Sequence, residues 1–153
     1  MFRNILKAKK KNPFIILNNS YKKNAFHTGD IVSITENAWE KIGTIITSYN
    51  NQNNALASMI LSINGGGCNG FKYDLHLDTK ILGDVKKYDK YSFVEKNDSR
   101  VYIDPIGEMY LLGTKIDYVK EDLNKNIFES KFIFIPDSNI ATNCGCGTSF
   151  SPK

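Results

Sequence analysis

Gly65-Gly66-Gly67-Cys68-Asn69-Gly70-Phe71-Lys72-Tyr73-Asp74-Leu75-His76-Leu77-Asp78 is the stretch on which the reading of this 153-residue chain turns. Its second half alternates, with apolar Phe71, Tyr73, Leu75 and Leu77 separated by polar Lys72, Asp74, His76 and Asp78. Successive side chains of a strand point to opposite faces, so the pattern predicts a half-buried strand with one face on a core. Just upstream, residues 55–63 are mostly apolar, as in a strand covered on both faces. The triple glycine between them is expected to interrupt the chain before any return strand can start.

Outward from this stretch the signals are of one kind. Ser33-Ile34-Thr35-Glu36 offers a capping box, with Thr35 as a competing N-cap. Ala38, Trp39, Ile42, Ile45, Ile46 and Tyr49 follow at helical spacing, which predicts an amphipathic helix over 36–49 with Trp39 in its packing face. Asn50-Asn51-Gln52-Asn53-Asn54 is expected to end it as a polar loop. Downstream, strands are expected over 91–96, 100–104, 114–119 and 127–135. Pro105 suits the first turn of a short helix that Gly113 would close. No internal repeat is present. The chain therefore reads as mainly β within an α+β class, a compact sandwich or pseudo-barrel with one main N-terminal helix. After Pro136 no hydrophobic pattern is legible, so 136–153 is expected to be mobile in the absence of metal.

The apolar share of 41% and charged share of 24% are ordinary for a globular chain. No apolar run approaches the ~18 residues of a membrane span, and Phe14-Ile15-Ile16-Leu17 is too short for the core of a secretory signal. The net charge of +4 is unevenly spread. Residues 1–29 hold Arg3, Lys7, Lys9, Lys10, Lys11, Lys22 and Lys23 and no acid, which is +7, and +4 minus +7 leaves −3 on 30–153. An acid-free basic leader of this kind predicts an organellar transit peptide over 1–30, mitochondrial matrix first and plastid as the alternative. A domain over 31–153 follows it. With the net positive charge carried by that leader, composition favours neither a nucleic-acid nor a membrane partner.

All three cysteines, Cys68, Cys144 and Cys146, are set among glycines. An odd count with no secretory signal argues against a disulfide framework. Thiolates are soft ligands suited to iron–sulfur clusters, zinc or copper(I), and flanking glycines let a metal centre come close to backbone N–H groups. Clusters usually take four cysteines, so three per chain imply a site shared between subunits or one left incomplete. Structural zinc prefers four protein ligands in CxxC-like pairs, which the Cys144-Gly145-Cys146 spacing fits poorly. A thiol-redox enzyme with Cys68 as nucleophile lacks both a CxxC pair and a histidine placed as base. His76 falls on the polar strand face and His27 in the leader, where both read as solvated side chains. Gly65–Gly67 is followed by no Gly-Lys-Ser/Thr, which removes a phosphate loop. Lysines near the thiols would favour thiolate, and the sequence does not place them.

Gly65-Gly-Gly-Cys68-Asn-Gly70-Phe71-Lys-Tyr73, with Cys144-Gly-Cys146-Gly-Thr-Ser-Phe150 about seventy residues later, resembles the A-type iron–sulfur carriers, the HesB/IscA/SufA/ErpA-like family. Val101-Tyr-Ile-Asp104-Pro105 and Leu112-Gly113-Thr-Lys-Ile-Asp-Tyr118-Val119 look like the same family's middle segments. The resemblance runs from about Ile34 to Phe150. It implies a HesB-like pseudo-barrel of mixed sheets and a carrier or assembly factor rather than an enzyme. It also implies Cys68, Cys144 and Cys146 as ligands of a [2Fe–2S] cluster, with [4Fe–4S] or mononuclear iron as alternatives. Tyr73 occupies a position linked with iron in some members, although it shares its strand face with Phe71, Leu75 and Leu77 and reads equally as core. Thr148 stands where some members carry an acid, and Asn69 where many have serine. The partners implied are a second copy or a related A-type carrier, a monothiol glutaredoxin as donor, and apo iron–sulfur proteins as recipients, with support for [4Fe–4S] maturation.

Overall fold

The computed structural model describes residues 31–66, 70–80, 89–125, 127, 129–145 and 147–153. The expectations placed on the leader, on Asn69 and on Cys68 and Cys146 lie outside them.

The chain enters through β1 (Val32–Ile34) and turns at Thr35 into α1 (Glu36–Asn53). Thr35 is the N-cap: its hydroxyl accepts from the Ala38 amide and donates to Asp117 Oδ1 at 2.6 Å. Its own amide donates to the Ile116 carbonyl, so one residue caps the helix and ties it to a strand. Ala38, Ile42 and Ile46 are buried on one face of α1, and Trp39 and Ile45 flank them. The helix does not stop at Tyr49 as expected. It runs through the asparagines to Asn53, and Asn54 closes it in the left-handed region at φ 47°. The amides that discourage helix in isolation find partners here: Asn53 donates to the Tyr49 carbonyl, and Asn50 accepts from the Ala57 amide beyond the helix end.

Strands β2 (Ser58–Gly66) and β3 (Gly70–Asp78) form an antiparallel pair in register from Ser58 opposite Asp78 to Gly66 opposite Gly70. Gly65 and Gly66 thus belong to the strand, against the expectation that the triple glycine interrupts the chain from Gly65, and Gly67 lies outside the described residues. Residues Ser58 to Ser62 of β2 are buried on both faces. Met59 and Leu61 face the main core, while Ile60 meets Tyr102 with Tyr91 and Phe93 in a small cluster on the opposite side.

Strands β4 (Ser92–Lys96) and β5 (Ser99–Ile103) form a hairpin through Asn97 and Asp98, both at positive φ (46° and 64°). Such two-residue turns favour Asn and Asp because both central residues must be left-handed. A turn at Pro105 precedes α2 (Glu108–Leu111), so the proline lies ahead of the helix rather than in its first turn. Gly113, at φ +72°, then leads into β6 (Thr114–Val119). Strand β7 (Lys131–Ile135) is shorter than expected, because a 3-10 turn at Leu123–Lys125 and an Asp122–Ile127 bridge occupy the start of that range.

The stretch after Pro136, where no pattern is legible and a mobile tail is expected, carries β8 (Ala141–Asn143) and β9 (Ser149–Pro152), with Ala141 and Phe150 buried. One apolar residue per short strand is too sparse to register as periodicity. It suffices here because β9 pairs with β3, Phe71 facing Phe150.

Two sheets result: β1-β6-β7, and β4-β5-β2-β3-β9-β8. Both mix parallel and antiparallel pairs, with β1 parallel to β6 and β5 parallel to β2. One core joins them to α1, with Val32, Ile116, Tyr118 and Phe134 from the smaller sheet meeting Leu61, Tyr73, Val101, Ile103 and Phe150 from the larger. The mainly β, mixed-sheet barrel-like architecture with one main helix is therefore observed.

Candidate metal centre

Antiparallel pairing of β3 with β9 makes neighbours of two strands that each begin just after a cysteine-containing segment. The connection containing Cys68 is flanked by the paired Gly66 and Gly70 at one end of the β2–β3 hairpin. A Cβ on Gly70 would lie 2.6 Å from the Phe150 carbonyl oxygen. Only glycine lets β9 approach this flank so closely.

The second turn is built by backbone bonds. Cys144 N donates to the Ser149 carbonyl at 2.8 Å, and Gly147 N donates to the Cys144 carbonyl at 3.0 Å. Gly147 supplies the positive φ of 71° that the tight reversal needs. The turn is fastened to both sheets: the Thr148 carbonyl accepts from Tyr73 N of β3, and the Gly147 carbonyl accepts from Phe134 N of β7. Asn143 Nδ2 adds a bond to the Phe134 carbonyl at 3.1 Å. Sequence reading passed over Asn143 and took Gly147 only as a small flank of the cysteine pair; the bonds of both to Phe134 depend on β7 lying alongside. With the turn held by its main chain, the Cys144 side chain is exposed and free to act as a ligand. The space where a Gly145 side chain would stand is open.

Thr148 lies opposite Tyr73, and Cys144 is bonded to Ser149 opposite Lys72. On standard strand dimensions, Gly70 and Cys144 are then roughly 12 Å apart, two residues along and two strands across. Among the described residues no three His, Cys, Asp or Glu side chains converge on a metal-sized site. Of the three cysteines, Cys144 is the one the described residues place, with its thiol exposed.

Tyr73 points the other way. It is 4% exposed and sits between Phe134 and Phe150, with ring centroids at 4.7 and 4.5 Å. Burial pushes its phenol up to about 12, against a smaller downward pull from the neighbouring Thr114 hydroxyl. The two hydroxyls are close, yet neither makes a hydrogen bond of good geometry and both are shut off from water. A phenol held neutral in the core is poorly suited to act as a phenolate ligand. His76 is half-exposed on the outer sheet face, with Nδ1 3.2 Å from Asp74. A surface hollow of about 600 Å³, lined by Asn37, Val119, Leu123 and Ile127 among others, contains no cysteine.

A family model described as iron-sulphur cluster biosynthesis matches residues 31–148. The chain belongs to this family. It is 38% identical over 130 residues to the iron–sulfur cluster insertion protein ErpA of Ruthia magnifica, covering 84% of this chain and 97% of that protein. It is 36% identical over 129 residues to ErpA of Buchnera aphidicola, covering 84% and 98%. Among solved structures, the fold resembles IscA with its [2Fe–2S] cluster at a TM-score of 0.57, with 20% identity and coverage of 80% of this chain and 97% of that one. Escherichia coli SufA follows at a TM-score of 0.55, with 23% identity and coverage of 78% and 91%. These two likenesses speak to the fold. The relatives also correct one expectation: the insertion proteins this family member resembles are bacterial, which overturns the mitochondrial or plastid destination read from the basic leader. A run of lysines without acids is a weak address, since a chain with eighteen lysines and two arginines accumulates such runs from composition alone.

Proposed function

We propose that this family member carries an iron–sulfur cluster as cargo, [2Fe–2S] in the simplest case, and hands it to apo-proteins. Cys68, Cys144 and Cys146 are its ligands. The observation that carries this reading is the exposed Cys144 on a backbone-anchored turn, two strands from the hairpin end whose flanks hold Cys68. Such a turn presents the Cys144 thiol without enclosing it. A recipient's thiolate can then displace one carrier thiolate from iron, one ligand for one, with no net change of charge or oxidation state.

Four thiolates complete a cluster of this kind, so a second copy or a related carrier supplies what one chain lacks. A monothiol glutaredoxin is the donor proposed, and maturing [4Fe–4S] proteins the recipients. Carriage is favoured over thiol-redox catalysis because the sequence has no CxxC pair of the redox kind. Tyr73 is left out of the ligand set on account of its burial. Binding of mononuclear iron by the same thiols is the second reading, favoured by the shortfall of one thiolate.

Anaerobic reconstitution with iron and sulfide tests the proposal. The expected outcome is a brown protein with equal iron and acid-labile sulfide, which Cys68→Ser, Cys144→Ser and Cys146→Ser each abolish or reduce at least several-fold. Iron without sulfide would move the reading to mononuclear iron, and a colourless protein binding zinc alone would sink it.

A further inference from the structure

The outer face of the six-stranded sheet carries a row of side chains that the cysteine spacing does not reveal. Asn64 of β2 lies opposite Lys72 of β3, Lys72 lies opposite Ser149 of β9, and Ser149 is bonded to Cys144 across the β8–β9 hairpin. Directly paired residues share a face. Phe71 and Phe150 of the adjoining pair point into the core, so Lys72 and Cys144 stand together on the outside. Two strand spacings, about 10 Å, separate their backbones, a distance that the four-carbon stem of a lysine can shorten considerably.

The same residue borders the other turn. A Cβ on Gly66 would lie 3.5 Å from Lys72 Cβ, and Gly66 is the flank of the segment holding Cys68. Lys72 is exposed, and among the described residues it has no ion pair. The acid next along this face, Asp74, directs one carboxylate oxygen to Asn64 on β2 and to His76 along β3, away from β9. Among the described residues the ammonium is therefore an uncommitted charge beside Cys144 and the flank of the Cys68 segment.

We propose that Lys72 is a positioning residue of the site: its ammonium offsets the negative charge of a thiolate-bound cluster and draws anions to Cys144. This rests on the ligand set proposed above. The effect is electrostatic and long-ranged, so it requires a cation here but no hydrogen bond.

The test has one readout that needs no cluster. In the reduced apo-protein, Cys144 is alkylated with anionic iodoacetate and with neutral iodoacetamide, and the rates are read by peptide mass spectrometry. Their ratio cancels the thiolate fraction and reports the local potential. At an ionic strength of about 0.01 M, Lys72→Gln is expected to lower the ratio about two-fold and Lys72→Glu about four-fold. Lys72→Arg should restore it, and about 1 M salt should erase the differences. In the reconstituted protein, Lys72→Glu should speed loss of the chromophore to neutral bipyridine at least two-fold, with Lys72→Arg matching wild type. An unchanged ratio in Lys72→Glu, or equal losses in the Arg and Glu variants, overturns the assignment. Failure of the wild type to take up iron and sulfide instead sinks the carrier reading and with it the cargo role of Lys72, while the alkylation ratio still decides whether the ammonium governs Cys144.

Discussion

Tyr73 shows at the scale of one residue how position overrides chemistry. Alternation in the sequence places it on the core face of its strand, whereas the resemblance offered it as a possible iron ligand. The hydroxyl lies buried beside Thr114, which comes from a strand some forty residues away, so its lack of a bonded partner could not be read from sequence. A buried unsatisfied hydroxyl costs stability. Tyr73→Phe is therefore expected to raise unfolding free energy by about 1 kcal/mol in urea and to leave iron content unchanged. The phenol also sets a pH signature. Its native pKa of about 12 stands above the ordinary 10, so the native state holds the proton more tightly than the unfolded chain. The corresponding stability is complete below pH ~10 and is lost between ~10 and ~12, up to about 3 kcal/mol. Comparing wild type with Tyr73→Phe across that window isolates it from the titration of lysines, and parallel curves would refute it.

At the scale of elements, the strands with strong alternation emerged where the pattern put them, and the edges moved wherever a tertiary partner intervened. Helix α1 outlasts its apolar period because Asn50 and Asn53 bond locally. Strand β7 is shortened by the Asp122–Ile127 bridge. The start of α1 depends on Thr35, which serves as cap and strand link together. Thr35→Ala should cost about 1–2 kcal/mol, with Thr35→Ser recovering most of it in thermal denaturation. The β3–β9 pair depends on an absent side chain. Gly70→Ala would set a methyl 2.6 Å from the Phe150 carbonyl, and backbone there cannot yield cheaply. A loss of about 2 kcal/mol or more is expected, with faster amide exchange at Tyr73. An Ala variant as stable as wild type would show that β9 does not lie against Gly70.

For the whole molecule, the joint between the two sheets and the cysteine turn are one structure. The carbonyls of Gly147 and Thr148 hold amides of β7 and β3, and Phe150, 1% exposed, anchors the segment between Phe71 and Tyr73. Phe150→Ala should therefore cost about 3–5 kcal/mol. Within the folded population it should also raise amide exchange at Phe134 and Tyr73 together and shorten cluster retention after reconstitution. Loss of stability without those coupled changes would separate the anchor from the site.

The sequence by itself determined the class of fold, the main helix, the half-buried strand at 71–78 and the three thiols, because periodicity and cysteine context are local properties of the chain. Its charge pattern was equally local and misdirected the reading of the basic leader, since composition carries no information about what receives it. Only the tertiary structure decided that the C-terminal stretch joins the large sheet, that Tyr73 is sealed in the core, and that Lys72 stands in one row with Cys144. Each of these depends on strand pairing between segments some seventy residues apart, where register and close approach set the neighbours.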